Sequence, residues 1–406
     1  MSKSLFTNRS FLFVWAGNWI SELGGAFGTF CNSILVYQQT GSTMALGGMW
    51  LLYLIPSLIL QLFIGPFIDR WSRKWIMIFS QWARGVIFLI PLLALATGGF
   101  HVWDIFVVQM VIGLITPLYT PANQAITPSI VPEEKLKSAN AAIDGTVRIM
   151  TFLAPALGGM AVEAAGVKPT LIFVCSMLLI SGTLLLFIEE RRVQQPVRKT
   201  WLQQFSQGIT YFFKQRLIVW LGIFLAFVQF GVGVTMVVTL PYITKVLSGT
   251  YAQYGYFMAS FPLGYAAGAL LIGKMKSASR RMLMLGALVT GGLTYIFLGF
   301  NTNIYFSFGT EAIAGVAMAI FGVHNMTLCQ QIVPNEMMGK VFSVRLFIIR
   351  GALPLGVSAG SLLSEHWGIR PLYILIGSII CLVSVLGILL PYFSFMDEES
   401  VEKAAS

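Results

Sequence analysis

The chain has 406 residues, of which 56% are hydrophobic and 10% are charged, and its formal net charge is +10. A water-soluble domain carries about 25% charged residues, so this composition excludes an ordinary soluble globular protein. It predicts a chain that lies mostly in lipid, where backbone polar groups must be satisfied within helices or closed barrels.

Apolar segments long enough to cross a bilayer follow one another along the whole chain. A spanning helix needs about 20 mostly apolar residues. The first segment is longer than a signal-peptide core and lacks a small-residue cleavage site, so we expect it to be retained. Twelve segments meet the length requirement, at 11–38, 44–68, 75–97, 102–127, 139–163, 168–188, 217–243, 251–273, 282–300, 303–330, 341–364 and 371–395. The predicted fold class is an all-α membrane protein with twelve transmembrane helices.

The longest polar interval divides these spans into two groups of six. We predict an N-terminal six-helix half at 1–188, a cytoplasmic linker at 189–216, and a C-terminal six-helix half with a short acidic tail at 217–406. A direct repeat supports the division, because the segment IVPEE at 130–134 recurs as IVPNE at 332–336, an offset of 202 residues. The two halves are therefore expected to be pseudo-repeats with the same orientation.

Lysine and arginine are concentrated at one end of the predicted spans. With the N-terminus inside, 20 of the 26 basic residues fall on the cytoplasmic side, including Arg345 near the start of the eleventh span. Cytoplasmic loops are enriched in Lys and Arg, so both termini are predicted to be cytoplasmic. The positive charge is thus a topology signal and not a nucleic-acid-binding face.

A charged turn separates the second and third spans and carries the most informative motif. It runs Gly65-Pro66-Phe67-Ile68-Asp69-Arg70-Trp71-Ser72-Arg73-Lys74. This turn resembles the G-x-x-x-D-R-x-G-R-K signature of the major facilitator superfamily, with Ser72 in place of the usual glycine. The resemblance implies a gate formed by Gly65, Asp69, Arg70, Arg73 and Lys74.

A second motif lies on the fifth span and includes Ala154-Pro155-Ala156-Leu157-Gly158-Gly159. It is similar to the G-P-x-x-G-G signature of the antiporter branch of that superfamily. Pro155 frees a backbone carbonyl, and the two glycines allow another helix to approach closely. Ordinary prolines and glycines of membrane helices would give the same pattern. We group Arg148, Pro155, Gly158 and Gly159 with Arg350, which lies 202 residues after Arg148 on the eleventh span.

The whole chain resembles twelve-helix exporters related to macrolide-efflux proteins, for example at Thr40-Gly41-Ser42 and Gly339-Lys340-Val341-Phe342-Ser343. This resemblance implies the major facilitator fold, with substrate bound between the halves, and export of drugs or siderophores driven by protons. The fourth span contains no arginine, whereas many drug–proton antiporters carry one there. Proton coupling is therefore less firmly implied than the fold.

Ionisable residues inside spans mark candidate transport residues, because each costs at least about 2.5 kcal/mol unless it faces a partner or water. Glu22 shares a helix face with Asn18 on the first span, Glu311 lies in the tenth and Asp144 in the fifth. We expect these four residues to line the cavity or to couple transport to protons. We expect Glu22 to exchange a proton, with Glu311 as the reserve candidate. Asp144 and Arg148, four residues apart on the fifth span, form either an ion pair or part of a gate.

The remaining reactive residues give no sign of catalysis. We expect Arg84 on the third span to extend its side chain back to the cytoplasm. Four cysteines lie within apolar segments and three histidines are scattered, so we predict no metal and no cofactor. No nucleophile–base pairing or phosphate-binding loop indicates an enzyme.

These patterns predict a monomeric secondary transporter of a bacterial inner membrane that exports small amphipathic or cationic molecules by alternating access, coupled to protons. Its partners would be the small-molecule substrate, protons and the lipid bilayer, with no nucleic acid. Uptake of a nutrient or metabolite is the alternative within transport. A non-transporting membrane sensor or scaffold is the alternative from another class.

Overall fold

The computed structural model describes residues 5–64, 71–190, 201–272 and 279–398. Within these ranges the chain is helical, with short connections and no strand. Long helices occupy every position predicted for a span, and the largest boundary differences are of five or six residues, at the end of the second, the start of the eleventh and the end of the twelfth span.

We number the spanning helices in chain order. They are α1 (Arg9–Thr40), α2 (Thr43–Phe63), α3 (Arg73–Thr97, interrupted at Phe88), α4 (Val102–Ile130), α5 (Leu136–Ala165), α6 (Val167–Leu184), α7 (Arg216–Pro241), α8 (Tyr251–Ile272), α9 (Arg280–Phe300), α10 (Ile304–Ile332), α11 (Asn335–Trp367) and α12 (Ile369–Leu389).

Eleven of the described helices are long enough and apolar enough to cross a membrane. The exception is α1, which is 32 residues long but carries many polar side chains. Asn18, Ser21 and Asn32 of α1 are all buried inside the protein. The helix is therefore polar on its protein-facing side, which lowers its hydropathy without exposing those groups to lipid.

The helices form two compact units. Unit 1 contains Met1–Arg198 with Thr250–Gly255, and unit 2 contains Lys199–Gly249 with Tyr256–Ser406. In unit 1, α1 packs against α5 and α6, α2 packs against α4, and α3 packs against α4 and α6. In unit 2, α7 packs against α11, and α9 packs against α10 and α12.

Each unit contains an equivalent close contact between two helices, in which a glycine lies against a backbone carbonyl oxygen. A Cβ added to Gly113 of α4 would lie 2.4 Å from the carbonyl oxygen of Tyr53 on α2. In unit 2, a Cβ on Gly315 of α10 would lie 2.1 Å from the carbonyl oxygen of Phe261 on α8. The two glycines are 202 residues apart, the offset of the sequence repeat. Glycine is thus required at both positions because backbone faces backbone there.

The N-terminus of α3 is capped by a carboxylate from the end of the sixth span. The Glu190 carboxylate accepts three hydrogen bonds: from the Ser72 hydroxyl at 2.5 Å, from the Arg73 backbone N–H at 3.1 Å and from the Lys74 backbone N–H at 3.3 Å. Ser72 itself accepts the N–H of Trp75 at 3.4 Å. An anion at this position satisfies unpaired amides and interacts favourably with the helix dipole.

Unit 2 repeats this cap at the start of α9. The Asp397 carboxylate accepts the Ser279 hydroxyl and the Arg281 backbone N–H, each at 3.1 Å. It also forms a salt bridge with the Arg281 side chain at 3.6 Å. The offset between the two caps is 207 residues for the serine and for the acid, 279 − 72 and 397 − 190. The same cap therefore occurs at an equivalent place within each unit.

The predicted linker at 189–216 contains a helix, Trp201–Lys214, that its polar composition did not indicate. This helix packs against α11 of unit 2. Its Phe212 is buried in a cluster with Ile218 and Val341, and the Lys340 Nζ donates to Gln207 Oε1 at 2.7 Å.

Candidate functional site

Polar side chains of unit 1 join α1 to α4 inside the membrane-spanning region. The Tyr119 hydroxyl donates to Asn18 Oδ1 at 2.8 Å, and Asn18 Nδ2 donates to Asn123 Oδ1 at 3.1 Å. Asn18 and Tyr119 are both buried. Asn18, predicted to be a cavity residue, therefore also has a structural role.

Helix α3 contributes the basic side of the same cluster. Gln81 Nε2 donates to the Ser21 hydroxyl at 2.5 Å, and an Arg84 Nη donates to Gln81 Oε1 at 3.4 Å. A Cβ at Gly25 would lie 2.5 Å from Arg84 Nη2, so the glycine leaves room for the guanidinium. The expectation that Arg84 reaches the cytoplasm is wrong, because Gln81 and the space beside Gly25 hold it against α1.

Glu22 lies on α1 near this guanidinium. Arg84 is the charged group that attracts its carboxylate, although the two do not form a direct ion pair. Arg84 Nε and Trp19 Nε1 are buried donors without a hydrogen-bond partner. We call the following residues the unit 1 polar cluster: Asn18, Ser21, Glu22, Gln81, Arg84, Tyr119 and Asn123.

Glu311 of α10 has different surroundings in unit 2. It is half-buried, and the groups that interact with it electrostatically are the tyrosines Tyr242, Tyr295 and Tyr373. These rings contact one another, with centroids 5.0 Å apart for Tyr242 and Tyr373 and 6.0 Å apart for Tyr295 and Tyr373. Within the described ranges, no cationic side chain forms an ion pair with Glu311.

The repeat offsets show that these two carboxyl groups are not equivalent. Counting back 202 residues from Glu311 gives Gln109, a buried neutral side chain on α4. Counting forward 207 residues from Arg84 gives Gly291 on α9. At these paired positions, unit 1 has Arg84 and Gln109, whereas unit 2 has Gly291 and Glu311.

A buried arginine also lies within unit 2. Arg345 donates to Asn325 Oδ1 and is 7% exposed. The sequence analysis assigned it to the cytoplasmic side, and in the structure it lies within α11, which begins at Asn335. Asn325 corresponds to Asn123 at the offset of 202 residues, so each unit uses this asparagine to hold a different partner.

The predicted motif residues of the fifth and eleventh spans have varied surroundings. Asp144 and Arg148 are exposed on α5 and do not form an ion pair with each other. The helix continues through Pro155, and Gly158 and Gly159 are buried. A Cβ at Gly158 would lie 3.3 Å from the Phe27 ring of α1, which is a close packing contact. Arg350 is exposed on α11.

Three predicted gate residues, Gly65, Asp69 and Arg70, lie outside the described residues. Arg73 is the first residue of α3 and is 7% exposed, so it belongs to the folded helix end and not to a free loop. Lys74 is half-buried, with its ammonium 6.0 Å from the Trp75 ring centroid.

Sequence reasoning missed Gln81, Tyr119 and Asn123, because single polar residues in apolar spans are common and their neighbours on other helices are not visible in the sequence. The structure brings them together with Asn18 and Glu22. A family model described as a transmembrane secretion effector of the MFS type matches residues 2–406. The chain belongs to the major facilitator superfamily.

Relatives within this superfamily include efflux proteins. The chain is 26% identical over 372 residues to an uncharacterised MFS-type transporter of Bacillus subtilis, covering 88% of this chain and 87% of the relative. It is 22% identical to macrolide efflux protein A of Streptococcus pyogenes, covering 92% of this chain and 94% of the relative. It is 25% identical to the enterobactin exporter of Escherichia coli, over 68% of this chain and 66% of the relative.

Solved structures support the same fold. A variant of the nucleoside transporter NupG has a TM-score of 0.77 at 12% identity, covering 93% of this chain and 99% of that chain. A bacterial homologue of the iron transporter ferroportin has a TM-score of 0.73 at 18% identity, covering 95% and 99%. The protein is therefore a multi-pass membrane transporter with the predicted all-α fold, and its family consists of transporters and not enzymes.

Proposed function

We propose that the protein exports small amphipathic molecules that carry a protonatable amine, and that a proton gradient drives this export. The observation that supports the proposal most strongly is the contrast between the two half-buried carboxyl groups, Glu22 and Glu311. Glu22 interacts electrostatically with the Arg84 guanidinium, whereas Glu311 interacts with tyrosines and forms no ion pair among the described residues.

An isolated carboxylate inside a membrane protein is costly, so it binds a proton or a cation. Aromatic rings around such a group also favour organic cations, because their faces are electronegative. We therefore assign to Glu311 the exchange between a proton and the substrate's ammonium group. Arg84 offsets the charge of Glu22, which makes Glu22 the weaker candidate for this exchange.

The unit 1 polar cluster fits a different part of a substrate. Arg84 Nε of this cluster and Trp19 Nε1 of α1 are donors that no acceptor among the described residues satisfies, and buried polar groups normally have partners. We propose that they donate to ether, carbonyl or hydroxyl oxygens of the transported molecule. The relatives named macrolide efflux protein A and enterobactin exporter support export of small molecules.

We place the protein in a bacterial inner membrane as a monomer, with both termini in the cytoplasm. The excess of Lys and Arg on that side supports this orientation. Asp69, Arg70, Arg73 and Lys74 are proposed to gate the cytoplasmic side, as the loop signature implies. Asp144, Arg148 and Arg350 are proposed to line the transport path, because charged side chains exposed on spanning helices are expected to face water and not lipid.

The test is transport by the purified protein in proteoliposomes with an imposed pH gradient. Each substrate would be offered as a permanently cationic, a protonatable and a neutral analogue. Glu311→Gln should reduce gradient-driven transport of the protonatable analogue more than about tenfold, the effect of losing one desolvated charge partner. Glu22→Gln should reduce it less. Glu134→Gln, an exposed loop substitution, is the matched control.

Two results would contradict the proposal. Full gradient-driven transport by Glu311→Gln would remove this carboxyl from coupling, and loss of coupling in Glu22→Gln alone would reverse the assignment. Direction is tested in the same vesicles, because accumulation only in inside-out vesicles identifies export, whereas accumulation only in right-side-out vesicles identifies uptake.

A further inference from the structure

A groove in unit 1 lies where α1 begins and the chain leaves the sixth span. Its volume is about 560 Å³. We call it the α1–α6 groove, and it is lined by Asn8, Arg9, Ser10, Leu12, Phe13, Phe187 and Glu189. It is separate from the unit 1 polar cluster, which shares none of these residues.

The walls of the groove are fixed by hydrogen bonds. Asn8 Nδ2 donates to the Ile130 carbonyl at 2.7 Å, and Asn8 Oδ1 caps α1 by accepting the Phe11 N–H at 3.2 Å. The Glu189 N–H donates to the Ser10 hydroxyl oxygen at 3.1 Å, which ties the end of the sixth span to the start of α1. The Phe13 and Phe187 rings also contact each other, with centroids 5.3 Å apart.

Two opposite charges share this groove without contacting each other. Arg9 and Glu189 are both exposed and both line it, yet no ion pair joins them. The adjoining side chains are apolar, and Leu12 and Phe187 are 40% and 60% exposed. A ligand that pairs with both charges and covers the apolar side chains therefore needs an anionic group, a cationic group and a hydrocarbon part.

A zwitterionic phospholipid has these three parts. Its phosphate matches Arg9, the Ser10 hydroxyl and the first-turn amides of α1, because helix N-termini favour phosphate. Its ammonium matches the Glu189 carboxylate, and its acyl chains match Leu12 and Phe187. The groove also lies at the ends of two spanning helices, the depth at which lipid headgroups occur. We propose that the α1–α6 groove binds an aminophospholipid of the phosphatidylethanolamine type.

The charges of the groove predict selectivity among lipids. Phosphatidylglycerol offers a phosphate to Arg9 but no cation to Glu189. Phosphatidylcholine offers a cation, but its trimethylammonium has no N–H group to donate to the carboxylate. Phosphatidylethanolamine should therefore bind more tightly than either of the other two lipids.

The test is native mass spectrometry of the full-length protein with each of these three lipids added in equal amounts, together with thermal melting in the same mixtures. Wild-type protein should retain phosphatidylethanolamine preferentially and melt higher with it. Glu189→Gln should reduce the apparent affinity for phosphatidylethanolamine about tenfold, as for one lost charge-assisted hydrogen bond, and should leave phosphatidylglycerol binding unchanged or stronger. Arg9→Gln should weaken the binding of both lipids.

The matched controls are Glu134→Gln, just before α5, and Lys137→Gln, in the first turn of α5, which remove exposed charges of the same sign. They should retain the wild-type lipid preference. Unchanged phosphatidylethanolamine selectivity in Glu189→Gln would overturn the proposal, as would unchanged affinity for both lipids in Arg9→Gln or equal retention of the three lipids by wild type. Transport activity is not the readout, so this result is independent of the proposed substrate.

Discussion

The two six-helix units are alike where backbone meets backbone and differ where side chains carry charge. Both cap the third helix of the unit with a distant carboxylate, Glu190 or Asp397. Both bring a glycine of the fourth helix against a carbonyl of the second. The inner polar residues differ, since unit 1 has Glu22 with Arg84 and unit 2 has Glu311 among tyrosines. The comparison teaches that the scaffold is repeated while the transport chemistry is divided between the units.

The glycine contacts offer the strongest test of the repeated scaffold. Gly113→Ala and Gly315→Ala would each place a Cβ within 2.4 or 2.1 Å of a carbonyl oxygen. A backbone atom cannot move aside as a side chain can, so each substitution should cost at least about 1–3 kcal/mol. We expect a large loss of monodisperse protein and a lower melting temperature in both cases.

Two other glycines serve as matched controls. A Cβ at Gly145 or Gly309 would meet no atom within 4 Å. Gly145→Ala and Gly309→Ala should leave yield and melting temperature unchanged or raised, because alanine favours helix. If either control were as damaging as Gly113→Ala, the close contact would not be the cause.

The charge difference between the units can be tested by removing the cation of unit 1. Arg84→Gln leaves Glu22 without its positively charged neighbour and should cost about 1–3 kcal/mol, less than for a fully buried pair. The double variant Glu22→Gln/Arg84→Gln should recover most of this loss. Melting temperatures of the four proteins in the double-mutant cycle measure the coupling. Additive losses would show that the two charges do not interact.

The capping carboxylates should have similar, smaller effects in the two units. Glu190→Gln and Asp397→Asn each keep the shape and remove the charge, and we expect each to cost about 0.5–2 kcal/mol. Ser72→Ala and Ser279→Ala remove the hydroxyl partner and should cost about 1 kcal/mol or less. Hydrogen exchange of the first turns of α3 and α9 measures these effects locally. Unchanged exchange in one unit would show that the two caps are not equivalent.

The sequence predicted the positions and number of the spans because apolar length is a local property. The relation between the halves was visible in the repeated IVP segments. The caps by Glu190 and Asp397 were not predicted, since each joins residues more than 100 positions apart. Glu190 was visible only as part of a charged run at the end of a span.

The candidate site was predicted only in part, for a physical reason. The sequence of a span shows which of its residues are polar, but it does not show which other helix lies beside each of them. Glu22, Asn18 and Glu311 were identified because charge or amide is costly in a span. The direction of Arg84 could not be identified, because a long side chain two turns from the boundary can reach either water or a neighbouring helix. The space beside Gly25 decides this direction in the folded protein.

The polar character of α1 has a consequence for how the protein is made. The partners of its buried groups lie far along the chain, since Gln81 binds Ser21, Asn123 binds Asn18, and Ser181 donates to the Gly17 carbonyl. A newly synthesised α1 would enter the bilayer before any of these partners exists. Its stable insertion must therefore be delayed until α3, α4 and α6 have been synthesised, which makes the first helix of the chain among the last of its unit to become fixed in the membrane.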